Sequence, residues 1–185
     1  MKALEYLAVL SGVAYVLLAA RGQVWCWICG IISSAIYIYL NLEWQLYYDA
    51  ALQFFYVLFG FYGWIQWNKG KSEVLSVQYI NAKKQLQYAM YGLPLSVVLG
   101  YATYLYLNTP FTYIDAGVTV FSLIATYLTA KKVLQSWIWW ILIDLCATGL
   151  YVDKEAYVTA LLYIVYALAA AYGYYTWKKQ IPTSV

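Results

Sequence analysis

The chain has 185 residues, 65% of them hydrophobic and 21% aromatic, with 10% charged, a net charge of +3 and a mean hydropathy of +0.63. A soluble domain carries about 25% charged residues, so this is an integral membrane protein, and so small a charge excludes nucleic acid as a partner. With no histidine and three cysteines, the chain lacks the residues for metal catalysis or a disulfide framework.

Polar punctuation divides the sequence into seven apolar spans, at 4–20, 25–42, 46–67, 86–107, 113–130, 136–151 and 156–177. Most approach the ~20 residues that cross a bilayer as a helix, and together they leave no room for a soluble domain. The first span follows Lys2 like a secretory leader, but Glu5 interrupts the basic region and no A-x-A-like site follows, so it reads as a helix of the mature protein. The second holds Cys26-x-x-Cys29, a redox spacing that reads, inside an apolar helix, as small packing residues, like Cys146. Gly12, Gly30, Ser33 and Ser34 allow close helix approach, as do Gly60 and Gly63 in the third span. The third span ends in Tyr62-Gly63-Trp64 and Trp67 before Asn68-Lys69, the composition of a membrane–water interface. Trp64 reads there as an anchor or an inner gate and is counted among the candidate substrate-binding residues, and Trp67 reads as an anchor. In the fourth, Gly92-Leu93-Pro94 predicts a kink.

Taking alternate loops as one side of the membrane gathers Arg21, Lys69, Lys71, Lys83, Lys84, Lys131, Lys132, Lys178 and Lys179, and leaves Lys2 and Lys154 on the other. The positive-inside rule puts the N-terminus outside and the C-terminus in the cytoplasm of a multi-pass protein of the cell's inner membrane. At an offset of 110 residues the chain repeats itself: Trp27 falls on Trp137, Arg21 on Lys131, Glu43 on Asp153, Tyr56 on Tyr166, and Tyr62-Gly63-x-x-x-Trp67 on Tyr172-Gly173-x-x-x-Trp177. Two three-helix units of one orientation need an odd span between them. The expected architecture is therefore all-α, seven transmembrane helices as a 3+1+3 parallel repeat. Its parts are 1–67, a cytoplasmic loop and linking helix at 68–109, and 110–185 with a short tail; transporters built this way bind between the repeats near midplane.

The interior polar residues are the candidates for a substrate site. Asp144 lies deep in the sixth span, where an ionisable group marks function by default. Trp137 and Trp140 precede it by seven and four residues on the same helical face. A carboxylate beneath two indoles suits an organic cation; the structural alternative is an acid hydrogen-bonded between helices. Gln53 in the third span has Tyr163 as its repeat counterpart, and Asp144 has Ser34. Tyr56 and Tyr166 share the faces of Gln53 and Tyr163. Interhelical packing is the competing reading for Gln53 and for each tyrosine. Asp49, near the outer interface, reads as solvated, with attraction of a cation as the second reading. No Ser/His/Asp, Walker or Cys₄ constellation is present, so neither an enzyme nor a resident cofactor or metal is expected.

Leu52-Gln53-Phe54-Phe55 leading to Tyr62-Gly63-Trp64 and Trp67, with Trp137 through Trp140 to Asp144, resembles the Pnu-type vitamin transporters over essentially the whole chain. This family includes nicotinamide riboside transporters of the PnuC type and a thiamine branch of the PnuT type. The resemblance implies a build similar to the SWEET sugar transporters and facilitated diffusion by a uniporter. The substrate would be a dephosphorylated vitamin, trapped by a cytoplasmic kinase, and the carrier a homotrimer. It implies substrate binding by Gln53 and Tyr163. Asp144 stands where riboside transporters carry Asn, which favours thiamine over nicotinamide riboside as the expected substrate. A non-transporting scaffold or sensor, or a small channel, is the expectation from another class; a channel requires a polar stripe along several helices.

Overall fold

The computed structural model describes residues 2–44, 47–69, 75–107 and 112–181, apart from the side chains of residues 47, 48, 107 and 112. Lys71 and the expected break at Asn108-Thr109-Pro110 lie outside the described residues. Seven helices follow in order: α1 (Lys2–Ala20), α2 (Cys26–Glu43), α3 (Tyr47–Trp67), α4 (Ala82–Leu107), α5 (Thr112–Ala130), α6 (Ser136–Asp153) and α7 (Tyr157–Lys178). Four of them (α1, α2, α5 and α7) are long and apolar enough by hydropathy to cross a membrane. α3 and α6 fall short because they give positions to Asp49, Gln53, Asp144 and several tyrosines and tryptophans, which hydropathy scores as polar although their rings suit the membrane interface. α4 opens with Lys83, Lys84 and Gln85.

The helices pack as a ring. α1 meets α2, α2 meets α3, α3 meets α5, α5 meets α6, α6 meets α7, and α7 returns to α1, while α4 packs on α5 alone among the described helices. The packing is that of a lipid-embedded protein. Among the described residues half of the buried apolar ones are alanines, such as Ala19, Ala20, Ala130 and Ala170, whereas leucines and aromatics such as Leu10, Phe61, Tyr91 and Leu168 face outward. With lipid as apolar as a leucine side chain, small residues at the interfaces let backbones approach and gain packing.

Glycine carries this furthest at Gly63 and Gly173. A Cβ at Gly173 would lie 2.7 Å from the Trp137 ring, and one at Gly63 would overlap the Trp27 ring. Each glycine lets an indole of the neighbouring helix lie against its backbone. The dense core sits at this end of the ring: Trp27, Trp137 and Trp177 with Ala19, Ala20, Ala130 and Ala170, and Trp67 packed against them. Trp27 meets Trp67 edge-on at 5.4 Å, and Trp137 meets Trp177 at 5.3 Å and 87°. The indole N–H of Trp67 donates to the Ala130 carbonyl (3.0 Å), and that of Trp177 donates to the Ala19 carbonyl (3.0 Å). Each ties the end of one half's last helix to the first helix of the other half. Trp67 is thus half-buried against the core and bonded across the halves, a role beyond the interfacial anchor its position before Asn68-Lys69 suggested.

Helix boundaries in the two halves coincide at the 110-residue offset to within one residue. α4 starts four residues before the apolar span, because the side chain of Asn81 accepts a hydrogen bond from the Lys84 amide (3.0 Å) and so caps a polar first turn. The helix runs unbroken through Gly92-Leu93-Pro94, where the Ser96 hydroxyl donates to the Gly92 carbonyl (2.8 Å).

Candidate functional site

The ring of six helices surrounds a cavity of about 570 Å³ to which α4 contributes no residue. Small-molecule sites run from about 300 to 1,000 Å³. The tryptophan core closes off one end. The other end carries the exposed Asp49, and beside it Asp115 pairs with Lys154 (3.0 Å).

Eight of the nine sequence candidates line this space: Ser34 on α2, Gln53 and Tyr56 on α3, Trp137, Trp140 and Asp144 on α6, and Tyr163 and Tyr166 on α7. Four helices that are remote in sequence bring them together because the ring turns a polar face of each inward. Trp64 does not join them. It packs edge-on against Trp25 (5.3 Å, 62°) on the outer side of the tryptophan core, so its assignment as a binding residue is corrected.

The lining is ordered largely by its own aromatic contacts. Tyr163 stacks on Tyr151 (5.3 Å, 14°) and meets Tyr166 edge-on (6.1 Å, 85°). Trp140 donates its indole N–H to the Thr129 hydroxyl (3.2 Å), which orients the ring. Ser33, next to Ser34, is tied to the Ala8 carbonyl (2.8 Å), which fixes α2 against α1. Asp144 is 4% exposed. Its backbone carbonyl accepts from Thr148, while its carboxylate has no charged or hydrogen-bonding partner among the described residues and faces the cavity. This removes the reading of Asp144 as an acid hydrogen-bonded between helices.

Several lining residues escaped the sequence reading. Thr119, Ser122, Thr126 and Thr129 form a polar face on α5, and their spacing of three and four residues was legible as one helical stripe. Interior polar groups are accordingly more numerous than the sequence suggested. Asn41 and Tyr151 are repeat counterparts and both line the cavity. Tyr15 and Tyr37 had no signal beyond being tyrosines in apolar spans. Asp49, read as a solvated interfacial acid, is both exposed and part of the lining. Cys26, Cys29 and Cys146 are free thiols outside the lining.

At the closed end Lys132 lies over the Trp67 ring at 4.7 Å. Burial there holds its ammonium below the usual lysine range. The linker before α4 lies on the same turn. Gln78 exchanges backbone hydrogen bonds with Lys132 and Leu134 (2.8 Å each). The buried Gln135 amide both accepts from the Ile80 amide (3.1 Å) and donates to its carbonyl (2.8 Å).

The sequence profile described as nicotinamide mononucleotide transporter matches residues 2–179. The chain is similar to the nicotinamide riboside transporter PnuC of Neisseria mucosa, 22% identical over 96% of this chain and 73% of that protein. It is similar to the transporter of the same name from Escherichia coli K12, 21% identical over 94% of this chain and 84% of that one. Among solved structures it resembles the crystal structure of the vitamin B3 transporter PnuC, with a TM-score of 0.75 at 22% identity over 96% of this chain and 81% of that chain.

Proposed function

The chain belongs to the nicotinamide mononucleotide transporter family, a family of membrane transporters, and on that premise we propose that it takes up nicotinamide riboside through the cavity between its two halves. The observation that carries the reading is the aromatic space of about 570 Å³ with Gln53 and Asp144 among its polar groups. Its walls suit a flat ring stacked on Trp140 and the tyrosines, with Gln53 and Tyr163 addressing carboxamide and ribose hydroxyls. Relatives named for nicotinamide riboside put it ahead of thiamine, the reverse of the order that the carboxylate at position 144 suggested. Thiamine keeps one supporting observation, that same carboxylate.

The reading includes facilitated diffusion by a uniporter and the 3+1+3 parallel repeat, with 1–67 and 110–185 rocking against each other and 68–109 between them. Supporting the repeat are the coincident helix boundaries and the reciprocal indole bonds of Trp67 and Trp177. Supporting an outside N-terminus is the gathering of Arg21, Lys69, Lys131, Lys132, Lys178 and Lys179 at the tryptophan end. In that orientation the cavity is closed toward the cytoplasm. A cytoplasmic kinase acting on the product makes uptake one-way, and the family resemblance adds assembly as a homotrimer.

The test is titration of the detergent-solubilised protein with nicotinamide riboside and with thiamine, followed by tryptophan fluorescence, and then uptake into proteoliposomes. Saturable quenching by the riboside with thiamine silent, and uptake that needs only a substrate gradient, is the expected result. Quenching by thiamine alone transfers the site to that vitamin. Binding without uptake would turn the protein into a sensor.

A further inference from the structure

We propose that Asp144 makes this carrier read the charge of its substrate and hence its redox state: the oxidised, cationic pyridinium riboside is admitted and the neutral dihydropyridine form is rejected. The inference rests on the riboside reading above and goes beyond it, because shape and hydrogen bonding do not separate these two molecules. Adding a hydride to the ring, two electrons and one proton, cancels its positive charge. The carboxamide and the ribose hydroxyls stay in place, and Gln53 and Tyr163 would meet the same groups in both forms.

Charge is what the cavity can distinguish. Among the described residues no lysine or arginine lines it, and its two charged side chains are Asp49 and Asp144, both acids. They sit at different depths. Asp49 is exposed at the open end, and Asp144 is buried. The nearby Lys154 is engaged with Asp115 (3.0 Å) outside the lining. A cation entering therefore meets one carboxylate in solvent-accessible surroundings and a second in an enclosed, aromatic one, where charge pairs count for more. Once inside it also lies among ring faces of Trp140 and Tyr163, which attract positive charge. A neutral ligand of the same size brings no counter-charge and leaves the buried carboxylate without an ionic partner. The repeat sharpens the point: the counterpart of Asp144 is Ser34, so the charge lies on one side of the pseudo-two-fold and orients the cationic ring toward α6.

The decisive comparison is isothermal titration calorimetry of the purified protein with nicotinamide riboside and with its dihydro form, on wild type and on Asp144→Asn. Wild type is expected to bind the oxidised form about tenfold or more tightly than the reduced one, and Asp144→Asn to bring the two within about threefold, mainly by weakening the oxidised form. The wild-type measurement requires no variant to fold. Equal affinities in wild type, or a gap that survives in Asp144→Asn, would overturn the charge inference and leave the riboside transporter standing. If wild type binds neither form, the riboside reading itself fails and the inference falls with it.

Discussion

The turn between α1 and α2 and the turn between α5 and α6 share a backbone and differ in what lies over them. In each, a residue of positive φ follows the helix, Gly22 at 70° and Lys132 at 52°. The next amide then reaches back to the helix, Gln23 to Leu18 at 3.0 Å and Val133 to Leu128 at 2.9 Å. The second turn is strapped by the linker through Gln78 and the side chain of Gln135. In the first, Trp25 occupies the register of Gln135 and is 62% exposed. The two turns share one frame, but the linker before α4 passes only the second, so only that turn receives the strap. The same divergence appears in the cavity wall. Tyr15 on α1 lies against Gly30 on α2, 3.0 Å from where a Cβ would stand. At the matching positions the second half has Ala125 and Trp140. The bulky ring is supplied by the other helix of the pair, so aromatic volume is retained while its polar edge is re-aimed.

This comparison can be broken first at the shared frame. Gly63→Val and Gly173→Val should each destabilise by about 3 kcal/mol, since a side chain there meets the Trp27 or Trp137 ring. Comparable drops in detergent melting temperature are expected, and a large drop for one with indifference for the other would show that the frame is not truly shared. Next comes the strap. Gln135→Ala leaves the Ile80 amide and carbonyl without their side-chain partner and should cost about 2 kcal/mol. Trp25→Ala, at the exposed counterpart, should cost well under that, about 0.5 kcal/mol; equal losses would mean that the strap contributes nothing of its own.

Smaller effects refine the picture. Trp67→Phe and Trp177→Phe each remove one indole donor and strand one helix-end carbonyl, so a loss of about 1 kcal/mol apiece is expected. Chemical-denaturant titration of the two variants and of their combination would show whether the two reciprocal ties act independently. Smallest of all is Lys132→Gly. It relieves a left-handed conformation that costs a non-glycine residue about 1 kcal/mol and forfeits a cation–π contact of similar size with Trp67. The net change should be close to zero, and a clear loss of thermal stability would show that the lysine contact dominates.

The sequence by itself determined the helices. Apolar length and polar breaks are local in the chain, and a helix satisfies its own backbone wherever it lies in the bilayer. It also picked out Gln53 and Asp144, because isolated polar groups in apolar spans have few structural excuses. Tertiary structure alone decided the ring order, the outward displacement of Trp64 and the inward place of Trp67. Those depend on which face each helix turns to its neighbours. In a chain where lipid and protein interior are equally apolar, no hydrophobic stripe declares that face in advance, and the small residues and indoles that fix it act only once the helices have met.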